Sequence, residues 1–189
     1  MRIVAGKLRG LSLTPVGKGD AAAHLRPTTD RVRESIFNLL LGGNYGDPIG
    51  GARVLDLFAG TGALGLEALS RGAAHVTFID DGAKSQSLIR QNIKLCRLEA
   101  ETILQRRSAI RLGNCKLPPY DLIFLDPPYG KGLWEFSLSA AYRGGWFAKD
   151  ALIVLEENKA IQSPSGFQLL DQRRYGDTYV SILALENST

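Results

Sequence analysis

Asp126-Pro127-Pro128-Tyr129 is the stretch of this chain whose residue types and order suit a specific chemistry. A base's exocyclic amine is a poor nucleophile, because its lone pair is delocalised into the ring. Attack on a methyl group requires that nitrogen to become more tetrahedral. Acceptors aimed at its two N–H bonds favour the change and stabilise the positive charge that develops. The Asp126 carboxylate offers one acceptor and the Pro127 carbonyl the other. Consecutive prolines fix φ and remove backbone donors, so the carbonyl direction is locked. Tyr129 adds a flat face for stacking, worth about 1–3 kcal/mol per base in nucleic-acid complexes.

A second candidate site is Asp56-Leu57-Phe58-Ala59-Gly60-Thr61-Gly62-Ala63-Leu64-Gly65. Gly60, Gly62 and Gly65 fit G-x-G-x-x-G, and Asp80 stands where a ribose-binding acid would. Taken alone the pattern also fits a nicotinamide-dependent oxidoreductase. Asp56 favours another ligand: a carboxylate at the mouth of the loop repels a pyrophosphate but attracts the ammonium and sulfonium charges of S-adenosylmethionine. Asp80 can accept from both ribose hydroxyls, with Asp81 beside it.

These residues need a scaffold that brings strand ends together. From Arg53 onward short apolar runs alternate with helical stretches: strands at 54–58, 76–80, 102–105, 122–126 and 152–156, helices at 63–71, 84–98 and 134–142. Phe167–Tyr175 and Thr178–Leu185 read as a closing antiparallel hairpin around Gly176-Asp177. The expected fold is α/β, with a mostly parallel seven-stranded sheet covered on both faces. Ligands then sit beyond the strand C-termini, and Asp56, Asp80 and Asp126 all end apolar strands. Ahead of this lie a short hairpin or extended arm over 2–14, a loop over 15–25, and a helix from Thr29 or Asp30 to about Leu41. The expected division is a basic extension over 1–45 and a catalytic domain over 46–189.

Charge supports a polyanionic partner. Residues 1–34 carry seven Lys and Arg against three acids, whereas the remainder holds 16 of each sign. No apolar stretch approaches the roughly 20 residues needed to span a bilayer. Two isolated thiols, Cys96 and Cys115, suit a reducing cytoplasm and exclude a zinc finger.

The loop at 56–65 resembles motif I of Rossmann-like methyltransferases, and Asp126–Tyr129 resembles motif IV of the amino-methyltransferases. The resemblance implies S-adenosylmethionine held by Asp56, Phe58, Ala59, Gly60, Thr61, Gly62, Asp80 and Asp81. Arg2–Gly10 and Leu25–Asn38, with Val54–Arg71 and Asp121–Leu133, are similar to bacterial guanine-N2 methyltransferases of 16S ribosomal RNA. That family implies one guanine as target, reached within a small ribosomal subunit or assembly intermediate by a monomeric enzyme. By charge and position, Arg9, Arg26, Thr28, Thr29, Arg31, Arg33 and Lys131 are the candidates for the substrate side. Two departures stand out. The acid that binds the adenine amine in many members is missing, leaving Ser108 and Ala109 to serve, and Asp80 replaces the more usual Glu. The rival readings are a DNA or other RNA amino-methyltransferase acting on adenine N6 or cytosine N4, the oxidoreductase, and a non-catalytic RNA-binding module.

Overall fold

A computed structural model describes residues 1–16 and 29–186. In chain order the elements are α1 (Asp30–Gly42), β1 (Arg53–Leu57), α2 (Ala63–Ser70), β2 (His75–Asp80), α3 (Ala83–Cys96), β3 (Thr102–Arg106), β4 (Tyr120–Leu125), α4 (Leu133–Arg143), β5 (Phe147–Glu157), β6 (Phe167–Tyr175) and β7 (Thr178–Leu185). The sheet has seven strands in the order β3-β2-β1-β4-β5-β7-β6. The first five are parallel, and β7 runs antiparallel to both β5 and β6.

Alternation along the strands builds two cores. Val54, Val76, Phe78, Leu122, Phe124, Leu152 and Val154 point into one, with Ile36, Phe37 and Leu40 of α1 and Leu66 and Leu69 of α2. Leu55, Leu57, Ile79, Ile123, Leu125, Ile153 and Leu155 point into the other, against Trp134, Leu138 and Ala141 of α4. Strands buried on both faces read as continuous apolar runs, and these do.

The sequence places most element boundaries within a few residues. The largest difference is β5, which begins at Phe147 instead of Leu152. Exposed Lys149 and Asp150 break the apolar run there, but Phe147 pairs with Tyr120 of β4, so neighbouring backbone extends the strand.

The first 16 residues fold back on themselves through a single antiparallel bridge, Arg2 to Ser12, and bury Ile3 and Leu13 in the first core. The arm lies on α2. Glu67 accepts from Val4 N at 2.8 Å and Ala5 N at 2.9 Å, and the Ser70 carbonyl accepts from Lys7 N at 2.7 Å. Gly6 permits this approach: its φ is +80°, and a Cβ there would sit 1.9 Å from the Ser70 oxygen. Thr29 caps α1, its hydroxyl accepting from Val32 N at 3.2 Å.

Candidate active site

Reversal of strand order between β1 and β4 opens a crevice at the strand C-termini. A cavity of about 930 Å³ occupies it, lined by both motifs. Asp56, Asp80, Asp126 and Glu156 stand at the ends of β1, β2, β4 and β5 and all reach this cavity. Each occupies the alternate position that faces the first core, so one side of one sheet rim carries four carboxyls.

After β1 the chain turns sharply. Phe58 takes φ +60°, a region that side-chain-bearing residues seldom visit, and Gly60 and Gly62 follow at +57° and +77°. Gly62 caps α2. At Gly65 a Cβ would meet Phe78 Cε1 at 2.4 Å, so the missing side chain lets α2 lie tight against β2. Asp56 is buried, and its Oδ2 accepts from Gly65 N at 3.0 Å. Burial pushes its carboxyl well above the usual carboxylate range. The Gly65 N–H opposes that shift, while the charges of Asp126 and Asp80 add to it. Asp80 accepts from Gly60 N at 2.9 Å and Gly82 N at 2.8 Å. Burial raises Asp80 too, against the lowering effect of those two N–H groups and the Ser85 hydroxyl. Carboxyls raised by burial gain from a cation placed between them.

On the other side of the cavity, Pro127 is buried, and Asp126, Pro128 and Tyr129 are partly exposed to it. The Tyr129 hydroxyl lies 3.1 Å from Thr178 Oγ1 at the start of β7, which anchors the ring.

The other candidate residues divide. Phe58, Ala59, Gly60, Thr61, Asp81, Thr29, Arg31 and Lys131 line the cavity, the last three at its outer edge. Gly62 shapes the turn without lining it. Ser108 and Ala109 start the short 3-10 turn after β3 and do not line the cavity. Arg9 is exposed on the arm and does not line it. Arg26 and Thr28 lie outside the described residues. Arg33 requires correction as a substrate ligand. Its side chain is fully buried, donates to the Arg2 carbonyl of the arm and lies 2.8 Å from Asp30 and 3.4 Å from Glu67 of α2, so it joins the arm to α2 instead of facing a phosphate.

Two parts of the wall were missed in the sequence. Glu156 lies at the C-terminal end of β5 as the three recognised acids lie at or beside the ends of theirs, so the same signal was present. The β6–β7 turn contributes Arg174, Tyr175, Gly176, Asp177 and Thr178; it read simply as a hairpin, because only strand order brings it to this rim.

The family described as conserved hypothetical protein 95 matches residues 1–184. Ribosomal RNA small subunit methyltransferase D of Escherichia coli is 41% identical over 173 residues, covering 89% of this chain and 82% of the relative. YlbH of Bacillus subtilis is 37% identical, covering 96% and 97%. Among solved structures, yhhF of Escherichia coli superposes with a TM-score of 0.81 at 33% identity, covering 100% of this chain and 99% of the other. With this fold, this rim of acids and this extent of identity, the chain belongs to the family of the ribosomal RNA small subunit methyltransferase D proteins.

Proposed function

We propose that this protein transfers the methyl group of S-adenosylmethionine to the exocyclic N2 amine of a guanine in 16S ribosomal RNA. One observation carries the reading: the glycine turn with its two raised carboxyls and the Asp126–Tyr129 motif close on a single cavity. The residues fit S-adenosylmethionine, which supplies an electrophilic methyl on a positively charged sulfur. Asp56 holds the charged amino-acid end, and Asp80, already oriented by Gly60 and Gly82, receives the ribose hydroxyls. A pyrophosphate would meet the same acids unfavourably, which disfavours the nicotinamide reading.

Across the cavity, the target base lies on the Tyr129 ring, held flat by the bond to Thr178. Asp126 and the Pro127 carbonyl accept the two amine hydrogens and draw the nitrogen lone pair out of conjugation. As the C–N bond forms, the methyl–sulfur bond would break with its electron pair left on a now neutral sulfur; the nitrogen becomes cationic, and Asp126 would stabilise that charge. The extra proton leaves to solvent. Such a base must be swung out of its stack to reach the cavity, and Arg31 and Lys131 at the outer edge suit the phosphates beside it. The excess of Lys and Arg over residues 1–34 favours the same polyanionic partner, and the similarity to ribosomal RNA small subunit methyltransferase D favours a small-subunit particle.

The test compares small subunits, free 16S RNA and DNA as acceptors, with nucleoside digestion of the product. Label in N2-methylguanosine from the RNA supports the reading, whereas label only in DNA, or at adenine N6 or cytosine N4, overturns it. Asp126→Ala is expected to lower turnover by about 10²–10³-fold and leave cofactor and RNA binding intact; unaltered turnover contradicts the assigned role.

A further inference from the structure

Glu156 has no part in the chemistry described above. It is 3% exposed, is the penultimate residue of β5 and lines the same cavity as Asp126 and Tyr129. The pairing Leu125 with Leu155 makes Asp126 and Glu156 the next residues along neighbouring parallel strands, and such strands lie about 4.8 Å apart. Both fall on the side of the sheet that carries Asp56 and Asp80.

Three common bases carry an exocyclic amine, and they differ in the ring atom next to it. Adenine N6 neighbours N1, and cytosine N4 neighbours N3; both ring atoms are lone-pair acceptors. Guanine N2 lies between N1–H, a donor, and N3, an acceptor, so guanine alone offers a ring donor beside its amine. A carboxylate beside the amine-binding acceptors, on the N1 side of the base, therefore attracts guanine and repels the ring lone pairs of the other two.

We propose that Glu156 is a specificity-determining residue, accepting the N1–H of the target guanine while Asp126 and the Pro127 carbonyl hold its amine. The inference rests on the guanine-N2 reading and adds the group that makes the choice of base. Asp126 alone does not make that choice, since it meets an NH2 in all three cases.

The test uses small-subunit particles reconstituted with either guanine or 2-aminopurine at the nucleotide that the wild-type enzyme labels. 2-Aminopurine keeps the amine but presents a lone pair at N1. Wild type is expected to prefer guanine by about 10–100-fold in kcat/KM, the discrimination that a well-placed contact to a base edge supplies. Glu156→Gln, whose amide can donate to N1, should bring the two substrates within a few fold of each other while S-adenosylmethionine affinity stays unchanged. Glu156→Asp keeps the charge but retracts it and should shrink the preference without abolishing it, so it provides a reading if the amide variant fails to fold. Equal use of both bases by wild type overturns the proposal, as does an unchanged ratio in a folded variant. If wild-type product on the guanine particle contains no N2-methylguanosine, the guanine-N2 reading fails and takes this inference with it. If N2-methylguanosine forms and the ratio ignores position 156, the inference alone fails.

Discussion

Asp56 combines full burial with two acidic neighbours and the Gly65 N–H as a partner. Its folded pKa lies above the unfolded value, so the native state binds its proton more tightly. The stability this residue contributes is therefore present at low pH and is lost as pH rises from the ordinary carboxylate range through the raised value. Each pKa unit corresponds to about 1.4 kcal/mol, and in a chain of this size each kcal/mol moves the melting midpoint by about 2–4 °C. Asp56→Asn keeps an acceptor for Gly65 without the charge. Without cofactor it should melt above the parent at pH 7, and the gap should close near pH 4. Its stabilisation by S-adenosylmethionine should be smaller than the parent's. Melting below the parent at pH 7 would mean that the ionised carboxylate is stabilising. The residues that declared themselves in the sequence were those in short, unusual strings, such as Asp126–Tyr129 and the glycine turn. Arg33 misled because it sits in a basic run; its partner Glu67 is remote in sequence, and no local pattern announces the pair.

Glu67 is the point at which three elements meet. It is buried in α2, accepts from two arm amides and from Arg71 Nε at 2.8 Å, and lies 3.4 Å from Arg33 of α1. Glu67→Ala leaves Arg33 buried beside an empty place, a change that typically costs about 3–5 kcal/mol. A matching fall in the free energy of urea unfolding is expected, together with earlier proteolytic cleavage of the arm; an unchanged transition would show that the arm is held by its apolar anchors Ile3 and Leu13 alone. Asn92 ties the arm to α3 in a similar way, accepting from Thr14 N at 2.8 Å and donating to the Thr61 carbonyl at 2.9 Å. Helix α3 was legible from Leu88, Ile89, Ile93 and Cys96, which share a face, but the buried amide on it was not. Periodicity reports which residues go inside and says nothing of the polar partners awaiting them.

For the whole molecule, alternating strands and helices were enough to imply a parallel sheet with its ligands at the C-terminal rim, because right-handed crossovers leave little choice. The position of β7 was harder to read. Local pattern pairs it with β6 through the turn at Gly176, but it also inserts beside β5 and leaves β6 at the edge. That insertion sets Val180 opposite Glu156 and brings Thr178 to the Tyr129 hydroxyl. A chain ending at Tyr175 keeps every residue of both motifs. It is nevertheless expected to show no cooperative unfolding transition and no turnover, since β5 loses its neighbour and β6 has nothing to pair with; a cooperative melt from that chain would contradict this dependence.

The same insertion has a consequence for the order of events during synthesis. Protein emerges N-terminus first, so the arm, the glycine turn and the proline pair are all outside before β7 exists. Until that strand arrives, a nascent chain carries the reactive groups without the wall that orients them. Competence thus waits until β7 has paired with β5.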